Sequence, residues 1–227
     1  SGDITDFVLL DYIRDSGKPV IISSGMSTLE ELRGAYDYLK EKTQDITIMH
    51  CVSKYPCPIE NLNLLTIPFL KKQFPEAKIG FSDHSVEVMT GVMAVELGAE
   101  VIEKHFTLDR NAFGPDHKVS LLPNEFADMV EKIRLFSEKK IVVGWDSTYK
   151  KAFGVETKYI QDGEIVFRKV FRKGLYTSRD IKTGQLWEPD MIYALRPKGK
   201  GLSSEEYPQL LGRFAEKDYK QYEAICK

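Results

Sequence analysis

Two histidines, His84 and His105, close short strand-like runs, IGFSDH and EVIEKHF. Between them Val88, Val92 and Val95, with the small Ala94 and Gly98, recur at helical spacing. A strand, a helix and a strand in that order form a unit with parallel strands, which brings both imidazoles to one edge of a sheet. Two such nitrogens can meet one divalent ion and leave positions open for water or substrate. Two protein ligands hold a metal loosely, and Asp116, in GPDH, is the carboxylate best placed to reach the ion or its water; Asp83, Glu103 and Asp109 are near in sequence. The alternative for either histidine is a buried, hydrogen-bonded packing residue. His50 lies inside a strand and reads as core or as support for the site, and His117 as orienting or exposed.

Hydroxyls gather at the same strand ends: Ser1, Ser23 with Ser24, Ser53 and Ser82. One serine at such a place is an ordinary helix cap. Their recurrence at successive strand ends suits a cradle for phosphate or carboxylate, completed by N–H groups at helix starts. Tyr55-Pro56 can close over a sugar or merely shape its loop, and Arg196, in LRPKGKG, reads by itself as a solvated turn arginine.

The elements that must position these groups follow from the apolar pattern. Val8, Leu9, Tyr12 and Ile13 share a helical face, and Gly17 suits its end. KPVIISSGM is a β-branched run of the kind covered on both faces. Leu29, Leu32, Tyr36 and Leu39 mark a second helix after capping-box spacing at Ser27. ITIMHC is a further strand, with a helix from Ile67 to Gln73, and a last helix opens at Pro123 with Phe126, Met129, Ile133 and Phe136 inward. Four strand–helix units in series fit the C-terminal half of an eight-stranded α/β (TIM) barrel over residues 1–140. An open doubly wound sheet is the alternative, but no Gly-rich dinucleotide fingerprint follows any strand. Residues 141–165 read as a polar linker, and residues 166–227, with IVFRKVF, GLYTSRDI and WEPDMIYALRP between turn residues, as a small β-rich domain closed by a strand over Tyr219–Ile225.

With 32 basic against 34 acidic side chains and a net charge of −2, the chain has no global basic field, which disfavours nucleic acid as its main partner. No apolar run approaches the roughly 18 residues of a membrane span, so the cytoplasm is the expected compartment. Cys51, Cys57 and Cys226 have neither disulfide-framework nor metal spacing and read as buried or incidental thiols. The chain opens on SGD with no strand before it and reads as part of a longer protein.

SGDIT, PVIISSGMSTLEE, HCVSKYPCPIENLNL, IGFSDHS, GAEVIEKHFTLDRNAFGPDHKVSL and RPKGKGL resemble, in order and spacing, the sialic acid synthase family: N-acetylneuraminate, legionaminate and pseudaminate synthases with spore-coat relatives. The resemblance implies a barrel, here strands five to eight, followed by an antifreeze-like (SAF, β-clip) domain. It implies Mn²⁺ or Mg²⁺ on His84 and His105, with Asp116 beside the metal-bound water and the sugar. Ser1, Ser23 and Ser82 match positions that hold phosphoenolpyruvate; Ser53 stands where well-studied members have Asn. Tyr55 matches a sugar-contacting tyrosine, and Asp3 replaces the more usual Glu. Arg196 matches an arginine that reaches the partner subunit's site in a domain-swapped homodimer, although Lys198 replaces the usual Gly.

The implied reaction condenses phosphoenolpyruvate with an open-chain N-acylated amino sugar of N-acetylmannosamine type to a nonulosonic acid, releasing phosphate. The missing N-terminal half would supply further groups, so the isolated part is expected to be inactive. Two other readings compete: a non-catalytic fragment or carbohydrate-binding module, and a metal-independent aldolase with a Schiff-base lysine. Lys104, next to His105, should point away from the histidine face, which opposes the last.

Overall fold

The computed structural model describes residues 1–226. Asp6 caps helix α1 (Phe7–Asp15) by accepting the Leu9 amide at 3.1 Å. There follow β1 (Val20–Ser23), α2 (Leu29–Lys40), β2 (Ile46–Cys51), α3 (Thr66–Gln73), β3 (Lys78–Asp83), α4 (Met89–Glu96), β4 (Val101–Lys104) and α5 (Pro123–Ser137). The strands form one sheet in the order β1-β2-β3-β4, and the β2–β3 and β3–β4 pairs are parallel. Sequential order with helical crossovers is the pattern of half a barrel.

Contacts divide the chain into two compact units. The first comprises Ser1, Ile21–Thr28 and Asp45–Glu164. Every residue of β2 is buried, and β3 is buried from Ile79 onward. The outer strands differ from the two-sided burial expected of the β-branched run: Ile21 of β1 is 60% exposed, and β4 has no fully buried residue. Each is the last strand on its side of the sheet. In α5 only Met129 is fully buried.

The stretch expected as a linker is tied down within this unit. Leu64 and Leu65 donate to the Ala152 and Phe153 carbonyls at 2.8 and 2.9 Å, just beyond the short helix α6 (Ser147–Lys150), and Ala152 is buried. Asp146 caps α6 by accepting from the Thr148 and Tyr149 amides.

The second unit comprises Gly2–Val20, Leu29–Gln44 and the residues from Ile165 on. IVFRKVF, expected as β-like, lies in helix α7 (Asp162–Phe171). Asp162 and Glu164 in its first turn and Arg168 and Lys169 in its last match the helix dipole. Arg168 also pairs with both Glu31 carboxylate oxygens, at 2.5 and 2.6 Å. Beyond α7 the unit is β-rich: β5 (Gly174–Thr177) and β6 (Ile192–Leu195) pair antiparallel, single bridges join Tyr176 to Ala224 and Ile181 to Tyr219, and α8 (Tyr207–Leu210) follows β6. Tyr219–Ile225 thus contributes bridges rather than the expected strand. Trp187, Tyr207, Tyr219, Leu175 and Ile225 are buried together in its core.

Candidate active site

β3 and β4 each stop one residue before a histidine. His84 is 5% exposed, and its Nδ1 lies 2.8 Å from the Val52 carbonyl oxygen. A carbonyl only accepts, so Nδ1 carries the proton and a neutral ring keeps its lone pair on Nε2. The His105 ring stands 5.3 Å from that of His84, and the Tyr55 ring lies tilted 4.2 Å from His84 and edge-on 5.7 Å from His105. Burial, reinforced by the neighbouring His84, lowers the proton affinity of His105. A carbonyl-anchored imidazole beside a second imidazole fits a divalent ion held by two nitrogens. Among the described residues no group of three or more His, Cys, Asp or Glu side chains forms a metal site.

The strand-end hydroxyls converge in the same unit. Ser1 Oγ and Ser23 Oγ are 2.8 Å apart, and the Gly25 amide donates to Ser1 Oγ at 3.1 Å. Cys51 Sγ lies 3.7 Å from Ser1 Oγ, 3.9 Å from Ser53 Oγ and 3.9 Å from His84 Nδ1, joining the hydroxyls to the histidine. Burial alone would raise the Cys51 thiol; hydrogen bonding and charge from His84, with the Ser23 and Ser1 hydroxyls, bring it down to about 7. Ser82 donates to Glu103 Oε1 at 2.5 Å, and Cys51, Ser82 and Glu103 are register partners across β2, β3 and β4.

Asp116 is exposed, at the start of a short 3₁₀ turn (Asp116–Val119), and its charge acts on Tyr55 and His105. The loop before it is held by His117 Nδ1 against Thr107 Oγ1 at 2.7 Å and by Arg110 bonded to both Glu125 oxygens at 3.0 and 2.6 Å. His117 thus orients the loop. Asp3 and Arg196 belong to the second unit, where they pair at 3.1 Å, and Lys173 bonds Asp3 at 3.0 Å and Asp6 at 2.7 Å. Arg196 also lies over the Phe171 ring, 4.7 Å from its centroid.

Of three further residues in this unit, the sequence placed Glu103 only as near the site, read Cys51 as a buried or incidental thiol, and gave Glu164 no role. Strand alternation already put Glu103 on the His105 face. The signal for Cys51 was weaker: it directly follows His50 at the end of a strand. Glu164 carried only capping-box spacing to Gln161.

His50 is a core residue. Its Nε2 donates to the Leu62 carbonyl at 2.7 Å, its ring stacks on Phe81, and its Nδ1 has no partner among the described residues. Burial pulls its pKa down to about 4 from the ordinary 6.5. The unfolded imidazole therefore takes up a proton as pH falls below 6.5, while the folded one resists until about 4. Stability contributed by neutral His50 is complete above that window and falls by about 3 kcal/mol across it. His50→Gln, which retains an N–H for Leu62, should flatten this part of a melting-temperature-against-pH curve; an unchanged slope would refute the assignment.

A parallel half-barrel sheet with paired strand-end histidines and clustered hydroxyls defines an α/β enzyme-like site. Residues 1–141 match the NeuB family, and the chain belongs to that family. It is 38% identical over 228 residues to N,N'-diacetyllegionaminic acid synthase of Campylobacter jejuni, covering 99% of this chain and 64% of that protein. It is 32% identical over 213 residues to human N-acetylneuraminate-9-phosphate synthase, covering 94% and 56%. The crystal structure of the Bacillus subtilis spore coat polysaccharide biosynthesis protein SpsE superposes with a TM-score of 0.84 at 35% identity, over 99% of this chain and 64% of that one. The chain therefore spans less than two thirds of the length of these relatives. Among the described residues no helix is long and apolar enough to cross a membrane.

Proposed function

We propose that this chain forms the C-terminal part of a synthase that condenses phosphoenolpyruvate with an N-acylated amino sugar, with N-acetylmannosamine and the acceptor sugars of legionaminate and pseudaminate synthases as the candidate class. The observation that carries the reading is the His84–His105 pair, 5.3 Å apart, beside a cluster of strand-end hydroxyls in a chain of this family. His84 and His105 would hold Mn²⁺ or Mg²⁺, which when bound polarises the aldehyde oxygen of the acceptor. Ser1, Ser23 and Ser53 donate to the phosphate and carboxylate oxygens of phosphoenolpyruvate, joined by Ser82 once its hydroxyl turns from Glu103, and stabilise charge as it develops on the leaving phosphate. Tyr55, beside both imidazoles, packs on the sugar, and the Asp116 carboxylate orients the attacking water, whose proton ends on the former aldehyde oxygen as the new hydroxyl. The bond formed joins the phosphoenolpyruvate methylene carbon to the aldehyde carbon; water then adds to the former enol carbon, and its C–O bond to phosphate breaks.

We assign the β-rich second unit to an antifreeze-like domain, and Arg196, paired with Asp3 within the chain, to contact with the acceptor in a domain-swapped homodimer. The test is phosphate release by the full-length protein from phosphoenolpyruvate with Mn²⁺ and each of the three acceptor types. Release that depends on an N-acyl sugar is expected, and none with any acceptor overturns the reading.

A further inference from the structure

Glu164 is 1% exposed and belongs to none of the groups assigned above. It lies in the first turn of α7, and its Oε2 accepts the Gln161 amide at 3.0 Å, half of a capping box. Its other oxygen does something a helix cap does not require. Oε1 accepts the Met26 amide at 3.0 Å and the Ser53 amide at 2.9 Å, so one atom joins the loop after β1 to the loop after β2.

Those loops bear the hydroxyl cluster, and the first of them is held in an unusual shape. Met26 has φ of 55°, a left-handed conformation disfavoured for a residue with a side chain. The preceding Gly25 passes so close to the cluster that a Cβ there would lie 2.2 Å from Ser53 Oγ and 2.7 Å from Ser1 Oγ. A small rise or fall of this loop therefore changes the spacing of Ser1, Ser23 and Ser53. The carboxylate also occupies two amides that would otherwise be free to bind an anion. An anion at these strand ends therefore meets hydroxyls rather than these two amides, and Glu164 sets the positions of the loops that bear them.

We propose that Glu164 is a positioning residue for the anion cradle, bridging the β1 and β2 loops so that Ser1, Ser23 and Ser53 meet the phosphoenolpyruvate oxygens together. The inference rests on the phosphoenolpyruvate reading given above. A residue acting only as a helix cap would leave substrate affinities alone.

The experiment compares Glu164→Ala and Glu164→Gln in the full-length protein. Phosphoenolpyruvate binding is measured by calorimetry and KM by phosphate release, alongside a thermal melt and Mn²⁺ affinity. Gln keeps an oxygen able to accept both loop amides and loses the bond to Gln161. Expected for Glu164→Ala is a phosphoenolpyruvate Kd and KM weaker by about tenfold or more, with Mn²⁺ affinity and sugar KM changed less than about threefold. Glu164→Gln should restore most of the loss. A folded Glu164→Ala protein that binds phosphoenolpyruvate like wild type overturns the proposal, as does a Gln variant that weakens phosphoenolpyruvate and Mn²⁺ equally. Should the Ala variant fail to fold, Glu164→Asp carries the comparison: one methylene shorter, it draws back from the Met26 and Ser53 amides, and a phosphoenolpyruvate Kd weaker by several-fold with unchanged Mn²⁺ affinity is expected, whereas wild-type phosphoenolpyruvate affinity overturns the proposal. Wild-type protein that neither binds phosphoenolpyruvate nor releases phosphate from it defeats the underlying reading instead.

Discussion

Alanine at either His84 or His105 is expected to abolish phosphate release in the full-length protein, with a loss of about 10³-fold or more, and to weaken Mn²⁺ binding in parallel. A bound ion polarising a carbonyl contributes several kcal/mol, each 1.4 kcal/mol being a factor of ten in rate. Each imidazole would supply one of the two nitrogens assigned to the ion, so neither can substitute for the other. The folding consequences of the two variants should differ. His84 is buried and anchored to the Val52 carbonyl, so its removal opens a cavity and orphans an acceptor. His105 is half-buried, and its alanine variant should melt close to wild type. Free Mn²⁺ measured by electron paramagnetic resonance gives the readout that does not depend on turnover. Full activity and unchanged Mn²⁺ affinity in both variants would remove the metal assignment and leave the imidazoles as packing groups.

Why the histidines were legible in the sequence and the bridge at Glu164 was not comes down to range. His84 and His105 end two strands of one β-α-β unit, and parallel pairing forces them to the same sheet edge whatever the rest of the chain does. The same local rule placed Ser23, Ser53 and Ser82 at strand ends. Cys51 gains its importance only when Ser1, from the start of the chain, arrives beside it. Glu164 bonds residues more than 100 positions away, and no periodicity reports such a contact. α7 was misread because Ile165, Val166 and Val170 are β-branched; all three are exposed, and the end charges decide the element. Residues 141–165 looked like a linker because they are polar and charged, yet their backbone carbonyls are what hold them to Leu64 and Leu65.

Lys104→Met should destabilise the first unit by about 3–5 kcal/mol, more than any exposed ion-pair variant in the chain. Alternation along β4 puts Lys104 on the face opposite Glu103 and His105, and there its side chain and that of Asp83 are both fully buried, at 0% exposure. Nζ donates to Asp83 Oδ2 at 2.7 Å and also reaches the Ser85 carbonyl at 2.7 Å and the Glu87 carbonyl at 3.0 Å. Asp83 Oδ1 accepts the Ser85 amide at 2.8 Å, and Oδ2 accepts the Thr90 hydroxyl at 2.5 Å. The pair thus fixes the turn that carries His84 from β3 into α4. Methionine fills the space of the lysine stem but leaves the Asp83 charge buried without its cation, and an uncompensated buried charge is the costly outcome. Burial lowers the proton affinity of Lys104, with Asp83 opposing, so the cation depends on its partner as much as the anion does. Removing both charges should therefore hurt less: Asp83→Asn with Lys104→Met is expected to melt above Lys104→Met alone, a coupling that denaturation of the four proteins measures directly. If the double variant is no more stable than the single, the pair is not a coupled buried ion pair. The same geometry answers the Schiff-base reading. Borohydride with a keto-acid substrate should leave Lys104 unmodified, because an amine that is buried and committed to Asp83 and two carbonyls has no route to a carbonyl carbon on the histidine face; a reduced adduct on Lys104 would return the chain to the aldolase class.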